Sequence, residues 1–79
     1  AVTIVFLGPL QDVAGTVSRE AAAPLDWAGL LATVGPEVAD QLRDDRVNVA
    51  CAGRVLSDKQ SLRAMDGDEV ALLPPVSGG

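Results

Sequence analysis

Only one stretch of this 79-residue chain repeats apolar residues with a full helical period, and it constrains everything around it. Trp27, Leu30, Leu31 and Val34 recur at i, i+3, i+4 and i+7, which is one face of a helix. Asp26 ahead of them is a good N-cap, because its carboxylate can accept from the orphan N–H groups of the first turn. Leu25 and Leu30 have the spacing of a hydrophobic staple. Gly35-Pro36 stops the helix, and Pro36 can open a second short one running to about Arg43, with Val38 and Leu42 inward. A lone helical stripe needs an apolar surface to cover it. The remaining apolar segments alternate, so that surface is a sheet.

Ala1 to Leu7 is rich in β-branched residues and ends at the turn signal Gly8-Pro9. Val2, Ile4 and Phe6 fall on one face; Thr3, Val5 and Leu7 fall on the other. Leu10 to Ala14 fits one helical turn before Gly15, and Thr16 to Ala22, with its polar middle, reads as an edge strand. Arg46 to Ala52 puts Val47, Val49 and Cys51 on one side, and Gly53 turns the chain into Val55-Leu56. Ser57 to Met65 reads as irregular or 3₁₀, Asp66-Gly67-Asp68 as a turn, and Glu69 to Leu73 as the last strand. The order strand, strand, helix, strand, strand, strand predicts an α+β fold: a mixed sheet of about five strands with a helix packed on one face. If the first and last strands are neighbours they run parallel, and the crossover between them carries the helix. That is the β-grasp arrangement of ubiquitin-like domains. Residues 1–73 would form the domain and residues 74–79 a flexible, extended C-terminal arm.

Composition removes several classes of function. A chain this short buries only about 60% of the surface its unfolded form exposes, which leaves little room for a deep cleft. Six basic residues against eleven acidic ones give a net charge of −5, which argues against nucleic acid and against an anionic membrane surface. Histidine is absent, so the usual general base and commonest metal ligand are missing, and no metal site is expected. One cysteine makes no internal disulfide. No apolar run approaches the roughly 18 residues that span a bilayer. Ala1 to Leu7 lacks the basic flank of a signal peptide, so the expected location is cytoplasmic.

The last six residues carry the chemistry. Pro74-Pro75 ends the final strand and stiffens the segment beyond it, because proline lacks an N–H and fixes φ. Val76, Ser77, Gly78 and Gly79 then narrow to bare backbone. A thin arm ending in a carboxylate suits a narrow channel in a partner, and the reactive group would be the Gly79 carboxylate itself. The bland alternative is a frayed end.

Asp66-Gly67-Asp68-Glu69-Val70-Ala71-Leu72-Leu73-Pro74-Pro75-Val76-Ser77-Gly78-Gly79 resembles the C-terminal signature of the small-subunit family of molybdopterin synthase, ubiquitin-like sulfur carriers. Phe6-Leu7-Gly8-Pro9-Leu10 and Val13-Ala14-Gly15 resemble that family's first strand and loop. Two departures lie away from the tail: Cys51-Ala52-Gly53 stands where relatives often show an Asn near the turn, and Leu62 to Asp66 is slightly long. The resemblance implies a non-catalytic sulfur-donor subunit of a sulfurtransferase complex. Gly79 would be adenylated by an E1-like enzyme using ATP and thiocarboxylated from a sulfur donor protein. The arm would then enter the large subunit of molybdopterin synthase, with two carriers flanking a large-subunit dimer in a heterotetramer. There it would give its sulfur to cyclic pyranopterin monophosphate to form the molybdopterin dithiolene. The chain has no G-x-x-x-x-G-K-[ST] phosphate loop, and its single lysine, Lys59, follows no glycine-rich turn; no cofactor is expected on it, and ATP belongs to the activating partner.

Other residues weigh differently. Cys51 reads as a small buried hydrophobe rather than a sulfur relay, and Trp27 as a core anchor. Asp66, Asp68 and Glu69 read as a solvated turn, with docking to a basic groove of the E1-like enzyme as the functional alternative. Leu7, Val55 and Leu73 are the expected partner-binding surface, an apolar patch on the open sheet face beside the tail. Three other functions stay open: a thiocarboxylate carrier for thiamine, cysteine or tRNA thiolation; a ubiquitin-like modifier; and an inert β-grasp interaction domain.

Overall fold

The computed structural model of the chain describes residues 1–75. Its main sheet is built from β1 (Val2–Phe6), β2 (Ser18–Ala21), β4 (Asn48–Cys51), β5 (Arg54–Val55) and β7 (Glu69–Leu73), in the order β2-β1-β7-β4-β5. β1 and β7 pair in parallel from Thr3↔Glu69 to Phe6↔Leu72, and the other pairings are antiparallel. The crossover between them carries α2 (Trp27–Val34) and α3 (Pro36–Leu42), both preceded by the short α1 (Leu10–Ala14). This is the β-grasp arrangement expected from the sequence. β1 is two residues shorter than the run expected for it and β2 and β4 three shorter, β5 starts one residue earlier than expected, and β7 keeps its expected bounds.

Alternation decides which side of the sheet is covered. Val2, Ile4, Phe6, Val49, Val70 and Leu72 are fully buried, and they meet Leu30, Val38 and Leu42 from the helices. Removing each such side chain from water is worth about 1.5–3 kcal/mol. Asp26 caps α2 as expected, its Oδ1 accepting from the Gly29 N–H at 2.8 Å, and the staple residues Leu25 and Leu30 are both buried. No buried side-chain polar atom lacks a partner among the described residues.

The sequence pattern gives no sign of a second, two-stranded sheet, which the structure contains. β3 (Leu25–Asp26) pairs antiparallel with β6 (Arg63–Ala64), so the segment read as irregular is pinned to the start of α2. Leu62 and Ala64 are buried there while Met65 is half exposed. Two-residue strands leave no alternation to detect. A 3₁₀ turn at Lys59–Ser61 leads into β6, and the Lys59 Nζ donates to the carbonyls of Asp44 and Val47 at 2.5 and 2.8 Å.

Ala52 and Gly53 link β4 to β5, both with positive φ, at 51° and 84°. A two-residue hairpin turn with two positive φ values favours Asn-Gly, because an L-residue with a Cβ is strained there. Here Ala fills the first position. Ala52→Asn is therefore expected to raise the unfolding free energy by up to about 1 kcal/mol, measured by urea denaturation.

The loop after α3 is held by Asp44, which accepts from the Arg46 backbone N–H at 2.9 Å and from its Nε and Nη2 at 3.1 and 2.9 Å. The Arg46 guanidinium, and then its backbone N–H, hold the Asp44 carboxyl at about 2, below its ordinary 3.8. A depressed carboxyl stabilises the fold above its unfolded value, and that contribution fades as pH falls through the folded one. Acid unfolding between about pH 4 and 2 should thus be shallower in Asp44→Asn than in the wild type, as followed by circular dichroism.

Candidate functional site

The uncovered side of the main sheet is set by register. Val5 stands beside Ala71, Ala71 opposite Ala50, and Ala50 opposite Val55, an unbroken apolar row across four strands. Leu73, opposite Asn48, lies one pleat further along, and Leu7 follows the last paired residue of β1 on the same side. Leu7 and Leu73 are half-buried, and Val55 is 61% exposed. The three apolar residues predicted to share a face do share it, at the end of the sheet where the chain leaves β7.

That exit has a specific geometry. Pro74 packs over Gly8, where an added Cβ would meet Pro74 Cγ at 3.2 Å, and Gly8 itself sits at φ 55°. Gly8 thus answers two demands: a left-handed turn after β1, and close approach by the first residue of the arm. The turn is legible in the sequence and the contact is not, since the two residues are far apart in the chain and meet only through the parallel β1–β7 pair. Pro75 is exposed. The predicted tail residues Val76, Ser77, Gly78 and Gly79 lie outside the described residues.

Other candidates stand elsewhere. Cys51 faces the helix side, level with Val70, and is half-buried. Leu73 lies three residues further along β7, about 10 Å. Burial and the nearby Asp68 carboxylate push the Cys51 thiol up, its Sγ lying 3.9 Å from Asp68 Oδ2. A thiol so placed stays protonated at neutral pH, which suits packing and not sulfur relay. Trp27 packs against the core, with the Lys59 ammonium 6.0 Å from its ring centroid. The acidic turn divides: Asp66 pairs with the Ala1 ammonium, Asp68 accepts from the Met65 N–H at 2.8 Å, and Glu69 alone turns to the open face. Among the described residues, no group of three or more Asp, Glu, Cys or His side chains is placed to hold a metal, and no helix is long and apolar enough to cross a membrane.

A β-grasp domain with one face packed by helices and the other open beside a C-terminal arm belongs to the ubiquitin-like class. The model of the ThiS family matches residues 4–79, and the chain belongs to that family of ubiquitin-like sulfur carriers and modifiers. Small carriers of this kind are non-catalytic subunits of complexes. No curated protein sequence matches the chain significantly. Among solved structures, the HVO 2177 protein of Haloferax volcanii is similar at 27% identity and a TM-score of 0.75, over 99% of this chain and 85% of that one. SAMP1 from Haloferax volcanii is similar at 29% identity and a TM-score of 0.66, over 99% and 98%. The complex of subunits 1 and 2 of molybdopterin-converting factor from Helicobacter pylori contains a chain with the same fold, at 23% identity and a TM-score of 0.64, over 99% and 97%.

Alkylation tests the place given to Cys51. Iodoacetamide at pH 8 should modify native Cys51 many-fold more slowly than the urea-unfolded chain, and Asp68→Asn should speed the native reaction. Equal native and unfolded rates would show an accessible thiol of ordinary acidity and overturn its shielded placement.

Proposed function

We propose that this chain is the sulfur carrier of molybdopterin synthase, with Gly79 as its reactive C-terminus. The observation that carries the reading is the apolar open face bearing Leu7, Val55 and Leu73 directly beside the Pro74-Pro75 exit, in a chain of the ThiS family. Such a face docks on a partner while the arm reaches onward, and Pro74, Pro75, Val76, Ser77 and Gly78 span the way to the carboxylate. The subunit complex of molybdopterin-converting factor supports the large subunit as the eventual partner.

The chemistry is dictated by the poor reactivity of a carboxylate. In an E1-like adenylating enzyme, a Gly79 carboxylate oxygen attacks the α-phosphorus of ATP and pyrophosphate leaves. Sulfide-level sulfur delivered by a donor protein then displaces AMP at the carbonyl carbon, which leaves a thiocarboxylate. Inside the large subunit the sulfur of this soft nucleophile bonds to a carbon of cyclic pyranopterin monophosphate as that carbon's oxygen substituent leaves, and hydrolysis of the acyl–sulfur bond returns the carboxylate and leaves the sulfur on the product. ATP and the catalytic groups belong to the partners; the chain supplies the docking face, the arm and the sulfur.

A second reading is a ubiquitin-like modifier, favoured by the 29% identity to SAMP1, above the 23% to the molybdopterin-converting factor chain. In it the same adenylate is captured by a lysine amine of a target protein. A carrier for thiamine, cysteine or tRNA thiolation shares the activation step and differs in the acceptor.

Intact mass separates these readings. Incubation with ATP, the cognate E1-like enzyme and a sulfide source should add the mass difference of one oxygen replaced by sulfur, and deletion of Gly79 should abolish the gain. The thiocarboxylated chain with the large subunit should then convert cyclic pyranopterin monophosphate to molybdopterin. Higher-mass protein conjugates in place of the sulfur gain would favour the modifier, and no change at all would leave an inert interaction domain.

A further inference from the structure

The main sheet separates charge by side. Register places Arg19 beside Ile4, Ile4 beside Val70, Val70 opposite Cys51 and Cys51 opposite Arg54, so both edges of this helix-side row end in arginine. Arg19 confirms the side by donating from Nη1 to the Thr33 carbonyl of α2 at 3.0 Å. The next row toward the start of β1 faces the other way. There Thr3 stands between Glu20 and Glu69, so two carboxylates share the open face.

No side-chain cation joins them among the described residues. Arg43 pairs with Asp40 and Arg46 with Asp44, both off the open face. Lys59 is held by two carbonyls beside Trp27, Arg63 lies on the second sheet, and the Ala1 ammonium pairs with Asp66, leaving Glu20 as a weaker electrostatic neighbour. Glu20 and Glu69 are exposed and make no ion pair among the described residues. With β1 between them they stand about 10 Å apart, and about 13 Å along the strands from the level of Leu7 and Leu73. The open face is therefore apolar at the arm end and anionic at the far end.

We infer that Glu20 and Glu69 form an orientation key: the partner surface that receives the open face carries arginine or lysine side chains opposite this pair. This rests on the proposed docking of the open face on a partner; it takes the E1-like adenylating enzyme as that partner, since in the proposed sequence of steps it receives the arm first, and adds the chemistry of that enzyme's surface at the far end. An apolar patch alone lets the domain rotate on its partner. Two anions at one end permit one orientation, with the arm directed away from the basic site and toward the active centre, and they draw the domain in before contact.

The test is stopped-flow association of the full chain with the cognate E1-like enzyme, at low and at high ionic strength. The double variant Glu20→Lys, Glu69→Lys should associate more slowly by about tenfold or more at low salt, with the difference shrinking at high salt. Glu37→Lys, at an exposed position of α3 on the helix side, should have a much smaller effect. Leu73→Asp should weaken binding at both salt concentrations. Equal slowing by Glu37→Lys, or unchanged association of the double variant, would overturn the key and leave the docking reading standing, provided Leu73→Asp still weakens binding. Absence of wild-type binding would sink both.

Discussion

The parallel pairing of β1 with β7 is the contact on which the rest of the molecule depends. It joins the two ends of the chain at the centre of the sheet, through four registered pairs from Thr3↔Glu69 to Phe6↔Leu72. Parallel neighbours need a crossover, and this one holds both larger helices and the remaining strands. Those helices cover one face and bury Ile4, Phe6, Val70 and Leu72. The same pairing sets the C-terminal ends of both strands side by side. Gly8 and Pro74 meet there, and the arm departs next to the turn after β1.

Covering one face only is what makes the other available. The helix side takes almost the entire core and holds Arg19 and Arg54 at its rims. The open side retains small and medium apolar residues, Val5, Ala50, Ala71 and Leu73, which contribute little to the core. Substitutions there cost the fold little, whereas truncating Val49 or Leu72 would leave a cavity. In the proposed function the chemistry is placed on the arm and the recognition on the open sheet face.

The small β3–β6 sheet and the Lys59 contacts solve a separate problem. The segment after β5 is mostly polar and has no stripe of its own. Pairing Arg63–Ala64 to the residues that cap α2 buries Leu62 and Ala64. The Lys59 ammonium satisfies two carbonyls of the α3–β4 connection. A loop otherwise free to move is thus fastened at two points.

The sequence by itself determined the elements whose signals are local and periodic. Alternation in Val2–Phe6 and Glu69–Leu73, the Asp26 cap with its staple, and the Gly35-Pro36 stop were all legible, because each reflects the fixed period of a strand or helix within a few residues. Alternation also assigned Leu7 and Leu73 to one face, while the β4–β5 register placed Val55 with them. The tertiary structure alone decided what depends on residues distant in the chain. Examples are the two-residue strands of the second sheet, the seat of Pro74 on Gly8, the division of the acidic turn, and the alignment of Glu20 with Glu69 across Thr3. A period of two says which side a residue faces, and nothing about which strand lies beside it or in what register.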